Sequence, residues 1–278
     1  MAAERDWSPV GSDLQSVLSR CADPLGALAR AEIPAIVLRG AYEPGHCSAL
    51  IQRFIARGLM RDPRQEHSPQ APSRLNIGTS LGNMGSDREA FLQHAAGTHA
   101  LFEQLFDGFD DPVANLYGNL AALAADKQVK VAREPDGRLY GPAIFRIHYE
   151  THAYKPHFDH VTLREKRFNY AVTRFAHQFA GVLCFQNADA TGPSAQALLH
   201  RCLWTPQIHP YIEAQTFPQY AAAQQLQSCQ VDLEPGDLYF FNTRCIHEVP
   251  PVQGGQPRIV LAVFIGYSQR DGEIFVWS

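Results

Sequence analysis

The chain has 278 residues, 45% of them hydrophobic, and a formal net charge of -4. That length supports one large domain with a buried core, and a near-balanced charge without Lys/Arg runs sets nucleic acid and anionic membranes aside as partners. No apolar run reaches the ~18 residues that span a bilayer.

The N-terminal stretch MAAERDWSPVGSDLQ lacks the apolar segment of a secretory signal. Six cysteines (Cys21, Cys47, Cys184, Cys202, Cys229 and Cys245) are scattered without CxxC spacing, which reads as free thiols in a reducing compartment. The expected location is therefore the cytoplasm.

In chain order, residues 1–31 form a helical lead-in, with Leu14, Val17 and Leu18 at helical spacing. Ile33 to Leu38 is a short apolar strand ended by Arg39-Gly40. A helix follows with Leu50, Ile51, Phe54 and Ile55 on one stripe and Gly58 as its stop. Residues 61–86 have loop composition. Ser86-x-x-Glu89 reads as a capping box that opens a helix through about Phe106, and Asp111-Pro112 caps a second amphipathic helix bearing Val113, Leu116, Leu120 and Leu123. These helices are predicted to pack, not to react.

From Tyr140 the period changes. Strands are predicted over 143–149, 179–185, 197–204, 237–241 and 258–266, separated by turn signals such as Glu234-Pro235-Gly236 and Gly254-Gly255-Gln256-Pro257. Short strands at even spacing point to an antiparallel sandwich or jelly roll. A polar stretch over 205–228 interrupts them as a loop plus a helix. The predicted fold class is α+β, a double-stranded β-helix (jelly roll) core over 139–278, with a mostly helical N-terminal half, 1–138, packed on it as support.

Within the second half, His157-Phe158-Asp159-His160 stands out. Residues two apart on a strand share a face, so His157 and Asp159 aim at one point while Phe158 and His160 point away. A third ligand is expected from another strand, and His247 follows the strand that the Pro-Gly turn introduces. Two histidines and one carboxylate on one side of a metal leave the opposite side open, the arrangement of non-haem Fe(II) oxygenases. Arg258 opens the next strand, where a guanidinium can grip a carboxylate with two parallel hydrogen bonds.

His157-x-Asp159, His247 and Arg258, in that order, resemble the Fe(II)/2-oxoglutarate-dependent dioxygenase superfamily. Phe145 to His160 resembles the strand pair of the prolyl-4-hydroxylase-like branch, and Pro235 to Gly266 resembles the second half of that core. Arg133 to Tyr140 and the long insert before Cys229 bring the chain nearer to freestanding small-molecule hydroxylases and halogenases. The resemblance implies that His157, Asp159 and His247 bind iron as the catalytic metal centre and that Arg258 holds the distal carboxylate of 2-oxoglutarate, with O2 as cosubstrate. It also implies an oxidoreductase that hydroxylates an aliphatic C–H of a small polar metabolite, such as an amino acid or derivative, while 2-oxoglutarate is decarboxylated to succinate. Desaturation, cyclisation and a peptidyl substrate are the variants within the class. In the halogenase branch a small residue replaces the carboxylate ligand and makes room for chloride; Asp159 keeps the carboxylate, which favours oxygen transfer.

Other candidates are less sharply defined. His148 and Arg146 lie on the strand before the metal strand, where one parity faces the pocket; His148 takes the position of a cosubstrate-contacting Tyr in the prolyl-hydroxylase pattern. Asn242 is a candidate for the cosubstrate, and Trp204 and Arg74 for the substrate, although Trp204 also suits a core and Arg74 a solvated loop. His160 and His152 are alternative ligands, His160 being out of phase with His157. A cupin-type isomerase or hydrolase without 2-oxoglutarate, and a non-catalytic jelly-roll module, are the readings from other classes; Arg258 opposes the first and the complete triad the second.

Overall fold

The computed structural model describes residues 6–65, 68, 70–188 and 195–278. The first five residues of the predicted lead-in and residues 66, 67 and 69 of the predicted loop lie outside that set.

The helices begin where the sequence supplies a cap. Helices α1 (Leu14–Arg20), α2 (Pro24–Ala29), α3 (Pro44–Ala56), α5 (Arg88–Phe106) and α6 (Pro112–Leu123) follow Asp13, Asp23, Glu43, Asp87 and Asp111, whose carboxylates accept from backbone N–H groups of the first turn. The short α4 (Leu81–Met84) follows Ser80 without a side-chain cap. The cap of α5 is Asp87 rather than the predicted Ser86: Asp87 Oδ1 accepts from Ala90 N at 3.1 Å, moving the start by one residue. Gly58, at φ +67°, ends α3 in the left-handed region that glycine enters without a Cβ penalty.

Twelve strands form two sheets among the described residues. The larger runs β1 (Ala35–Leu38), β9 (Leu238–Asn242), β6 (His177–Gln186), β11 (Arg258–Tyr267), β12 (Glu273–Trp277) and β3 (Gln128–Val131). Strand β4 (Ile144–His148) pairs with the first half of β11 and carries β2 (Arg74–Gly78) on its other edge. The smaller sheet runs β5 (Tyr154–His157), β10 (Cys245–Val249), β7 (Ala197–Leu203) and β8 (Ser228–Val231). Every pairing between these strands is antiparallel except β12 with β3, and an isolated parallel bridge joins Val10 to Ile36. Between β7 and β8 come α7 (His209–Glu213) and α8 (Phe217–Ala223).

The apolar runs of β6, β9 and β11 are continuous because both faces of the large sheet are covered. Phe179, Leu183, Phe185, Leu238, Phe240, Ile259 and Leu261 share one core with Val17, Leu28, Phe54, Leu105 and Leu116 from the helices. The alternate residues Ala180, Val182, Cys184, Tyr239, Phe241 and Val260 share another with Ala197, Leu199 and Val231 of the small sheet. Strand parity therefore decides whether a side chain meets the helices or the space between the sheets. At Gly181 a Cβ would stand 2.9 Å from a Phe240 ring carbon, so no larger residue fits beside that ring.

The segment predicted as loop over 61–86 contains β2. As an edge strand with only Ile77 buried, it lacks the alternation that marks a half-buried strand. The N-terminal half is also less purely helical than expected, since β1, β2 and β3 extend the large sheet. All six cysteines are free. No helix among the described residues is long and apolar enough to cross a membrane.

Candidate metal centre and cavity

Strands β5 and β10 pair antiparallel with His157 and His247 as direct Cα partners. His157 Nδ1 lies 2.7 Å from Lys155 O, and His247 Nδ1 lies 2.8 Å from Cys245 O. A carbonyl oxygen only accepts, so each Nδ1 carries the proton and each Nε2 presents a lone pair. Asp159 lies two residues beyond the end of β5, not on the strand itself, and His247 sits on a strand of its own. Thr243, in the β9–β10 turn, holds Asp159 in place: Asp159 N donates to Thr243 O at 2.9 Å, and Thr243 Oγ1 donates to Asp159 O at 2.8 Å.

Asp159 Oδ1 accepts from the Arg164 guanidinium, which leaves Oδ2 facing the histidines. Oδ2 stands 3.7 Å from His157 Nε2 and 3.5 Å from His247 Nε2, and the three ligand atoms lie within 4.8 Å of one another. Two imidazole lone pairs and a carboxylate oxygen aimed at one point form an electron-rich cluster that a divalent cation would neutralise. The donor set fits the two-histidine, one-carboxylate arrangement and leaves one side open. Burial, with His247 beside it, lowers His157 to about 4, so its imidazole is neutral and ready to coordinate at neutral pH. Burial opposes ionisation of Asp159, but His157, His247 and Arg164 outweigh it and hold the carboxyl well below the usual carboxylate range.

The triad opens into a cavity of about 550 Å3 between the sheets. On β4, Phe145 and Ile147 face the helices, so Ile144, Arg146 and His148 face the cavity together. Arg258 is 4% exposed and lines the same cavity. Its Nη1 donates to His148 Nδ1 at 3.3 Å, and no carboxylate among the described residues lies within ion-pair distance of it. A guanidinium cannot accept, so His148 carries its proton on Nε2 and donates it to Tyr154 Oη at 3.0 Å. Burial, then Arg258, His152, Arg146 and Arg74, push His148 well below its ordinary value and keep it neutral. Tyr154 Oη also accepts from Arg74 Nη1 at 3.5 Å, which leaves its own proton free to donate into the cavity.

Two sequence candidates sit elsewhere. Asn242 shares the parity of Leu238 and Phe240; it turns toward α2, where Nδ2 donates to Leu28 O at 3.0 Å and to Ala29 O at 3.3 Å. Trp204 has the outward parity of β7 and stacks on Phe158 at 4.5 Å in a small core with Ile246 and Phe217. Neither lines the cavity. His160 is buried beside Thr162, and His152 stacks on His148 at 4.6 Å, so neither joins the triad.

Sequence reasoning assigned no role to Tyr154, Arg164, Thr243 or Glu165. Tyr154 and His157 have opposite parity, yet β5 carries one extra residue between them, three steps against the two from His247 to Val249 on β10, and this bulge lets both face the cavity. Glu165 also lines it, and burial raises its carboxyl above the ordinary value. A second concavity of about 580 Å3 lies beside α5, where Arg138 and Glu89 already pair at 2.6 Å.

The family model described as carrier-protein-independent halogenase WelO5 matches residues 13–278. No curated protein sequence matches the chain. Among solved structures, an N-substituted L-amino acid dioxygenase from Burkholderia ambifaria AMMD, in complex with alpha-KG, superposes at a TM-score of 0.57 and 16% identity, covering 92% of this chain and 91% of that one. A second structure of an N-substituted L-amino acid dioxygenase from the same organism gives a TM-score of 0.57 at 15% identity, covering 91% and 90%. At this identity the likeness is one of fold.

Proposed function

The chain belongs to the carrier-protein-independent halogenase family, within the Fe(II)/2-oxoglutarate-dependent oxygenases, and we propose that it transfers oxygen rather than halogen to a small polar metabolite. The observation that carries this reading is Asp159. Its carboxylate stands beside both histidine Nε2 atoms, where a halogen-transferring relative needs room for chloride. The jelly-roll core expected from the resemblance agrees with the two-sheet architecture and with the fold of the amino acid dioxygenase.

In this reading His157, His247 and Asp159 hold Fe(II), and Arg258 holds the far carboxylate of 2-oxoglutarate. Bound iron supplies the redox chemistry that couples O2 reduction and 2-oxoglutarate decarboxylation to oxidation of a substrate C–H, with succinate and CO2 as coproducts. The protein's own residues do the rest. Arg164 fixes the Asp159 carboxylate so that one oxygen points at the metal position. Arg258 offers a buried, unpaired cation to an incoming dicarboxylate, and His148 keeps that guanidinium oriented through its Nδ1. The Tyr154 hydroxyl presents a proton to an anionic oxygen in the cavity. Val182, Tyr239, Phe241 and Val260 offer apolar wall to the substrate's C–H. Hydroxylation is the reaction proposed; desaturation or cyclisation needs the same residues. The dioxygenase fold and the cavity's size favour a free amino acid or derivative over a peptidyl substrate.

Anaerobic addition of Fe(II) and 2-oxoglutarate should give a visible metal-to-ligand charge-transfer band. Fe(II) shown to be bound without that band would leave a cupin-type isomerase or hydrolase as the better reading.

A further inference from the structure

Resting on that proposed function, we infer that the cavity contains a second anion-binding subsite, formed by Arg74 and Arg146, and that the substrate enters as a carboxylate. Arg258 and Arg74 are the Cα partners of His148 on its two sides, so three adjacent strands set Arg258, His148 and Arg74 in one row across the sheet. Arg146 stands on the neighbouring rung of the central strand, with the same parity as His148. All four residues line the cavity.

One cation suffices for one cosubstrate carboxylate, and Arg258, buried on β11, is the deepest placed of the three. Arg74 and Arg146 are half-buried, and neither has a carboxylate of the described residues within ion-pair distance. Paired surface arginines are ordinary, but these two guanidiniums face one cavity beside a third, and Glu165, whose charge acts on Arg146 without an ion pair, offsets only part of that positive charge. The other cations of the cavity are engaged: Arg164 is tied to Asp159, and Lys155 donates to Gln215 at 2.7 Å. The free Tyr154 proton adds a neutral donor to the same wall. Because Glu165 and Glu213 also line the cavity, a singly charged carboxylate suits its charge balance better than a phosphate dianion. Ile144, Ile212 and Phe264 offer an apolar surface to the rest of the molecule. The substrate class is therefore a carboxylic acid with an apolar body, an N-substituted or free amino acid among its simplest members.

The test is calorimetric and needs no turnover. Protein loaded with redox-inert Ni(II) and 2-oxoglutarate is titrated with three matched pairs: N-acetyl-L-leucine, 3-phenylpropionate and hexanoate, each beside its primary amide. At least one acid should bind about tenfold or more tightly than its amide, the scale of one or two charge-assisted hydrogen bonds. In the Arg74→Gln/Arg146→Gln double variant that preference should shrink to less than about threefold, with 2-oxoglutarate affinity held within about threefold. Retained cosubstrate binding also shows that the variant is folded. Equal binding of every acid and amide, including binding of neither, overturns the subsite. So does a double variant that loses 2-oxoglutarate as severely as Arg258→Gln, which would place both arginines in the cosubstrate site. Failure of the underlying oxygenase reading looks different: wild-type protein loaded with Ni(II) would not bind 2-oxoglutarate at all.

Discussion

His157 and His247 face each other across the β5–β10 ladder, Cα partner to Cα partner, with ring centroids 4.2 Å apart. Two residues far apart in sequence are thus placed by backbone hydrogen bonding before either side chain is considered. Each ring is then turned by its own carbonyl partner, so the lone pairs converge. The third donor depends on other supports, and those are where the site can be tested without removing a ligand.

Arg164→Met should lower Fe(II) affinity by about tenfold or more, because outer partners of a ligating carboxylate typically contribute that much. Asp159 would keep its place but lose the guanidinium on Oδ1. Anaerobic Fe(II) titration checks this, and an unchanged affinity would make the Arg164 contact incidental. Asp159→Ala should cost more than Arg164→Met in the same titration, since it removes the donor itself.

Arg258→Gln should raise the 2-oxoglutarate concentration needed for the charge-transfer band by roughly 10- to 100-fold, the loss of a charge-assisted pair. Fe(II) affinity measured without cosubstrate should stay within about threefold of wild type. Equal loss of both would mean that Arg258 supports the fold around the triad instead of holding the cosubstrate.

Phe158→Ala should destabilise the protein by about 3–5 kcal/mol, the usual range for a buried aromatic. Phe158 is 3% exposed and stacks on Trp204 at an interplanar angle of 19°. Because it stands between two ligands, the variant should also weaken Fe(II) binding. Denaturant unfolding and metal titration read the two effects separately.

Acid should destabilise the metal-free protein below about pH 6.5, the ordinary histidine value. Burial, then Arg244 and His177, lowers His160 to about 4, and burial lowers His157 likewise. Both histidines fold neutral. As pH falls from 6.5 toward 4, the unfolded chain takes up protons that the folded chain refuses, so the histidines' contribution drops through that window and levels off beneath it. There, carboxyls held low in the fold, Asp159 and Glu273 among them, take over the loss. His160→Gln should flatten the curve of Tm against pH over that range. A curve as steep as that of wild type would mean that His160 does not contribute.

The metal centre was more legible in the sequence than its surroundings. His157 and Asp159 are near neighbours, and His247 and Arg258 mark successive strands, so the type and order of these residues carried the resemblance. The supports were harder to read because they act through the backbone or across strands. Thr243 works through its own carbonyl and hydroxyl, and Tyr154 reaches the cavity only because β5 carries an extra residue against β10. Asn242 and Trp204 were misplaced for one shared reason: parity along their strands sends them away from the space between the sheets, and the flanking residues with the same parity already indicated it. Strand β2 was unreadable as a strand, since an edge segment with one buried residue has little period to detect.

The segment from 205 to 226 sits on its own small core of Phe217, Ala221, Ile208, Phe158 and Ile246, while Ile212, Glu213 and Gln215 reach the cavity. None of the triad residues His157, Asp159 and His247 and none of the four cavity arginines belongs to it. Natural variation can therefore redraw the doorway while the hearth stays intact. Grafting this segment from one relative to another should carry substrate preference with it, and the recipient should keep its own iron and cosubstrate affinities.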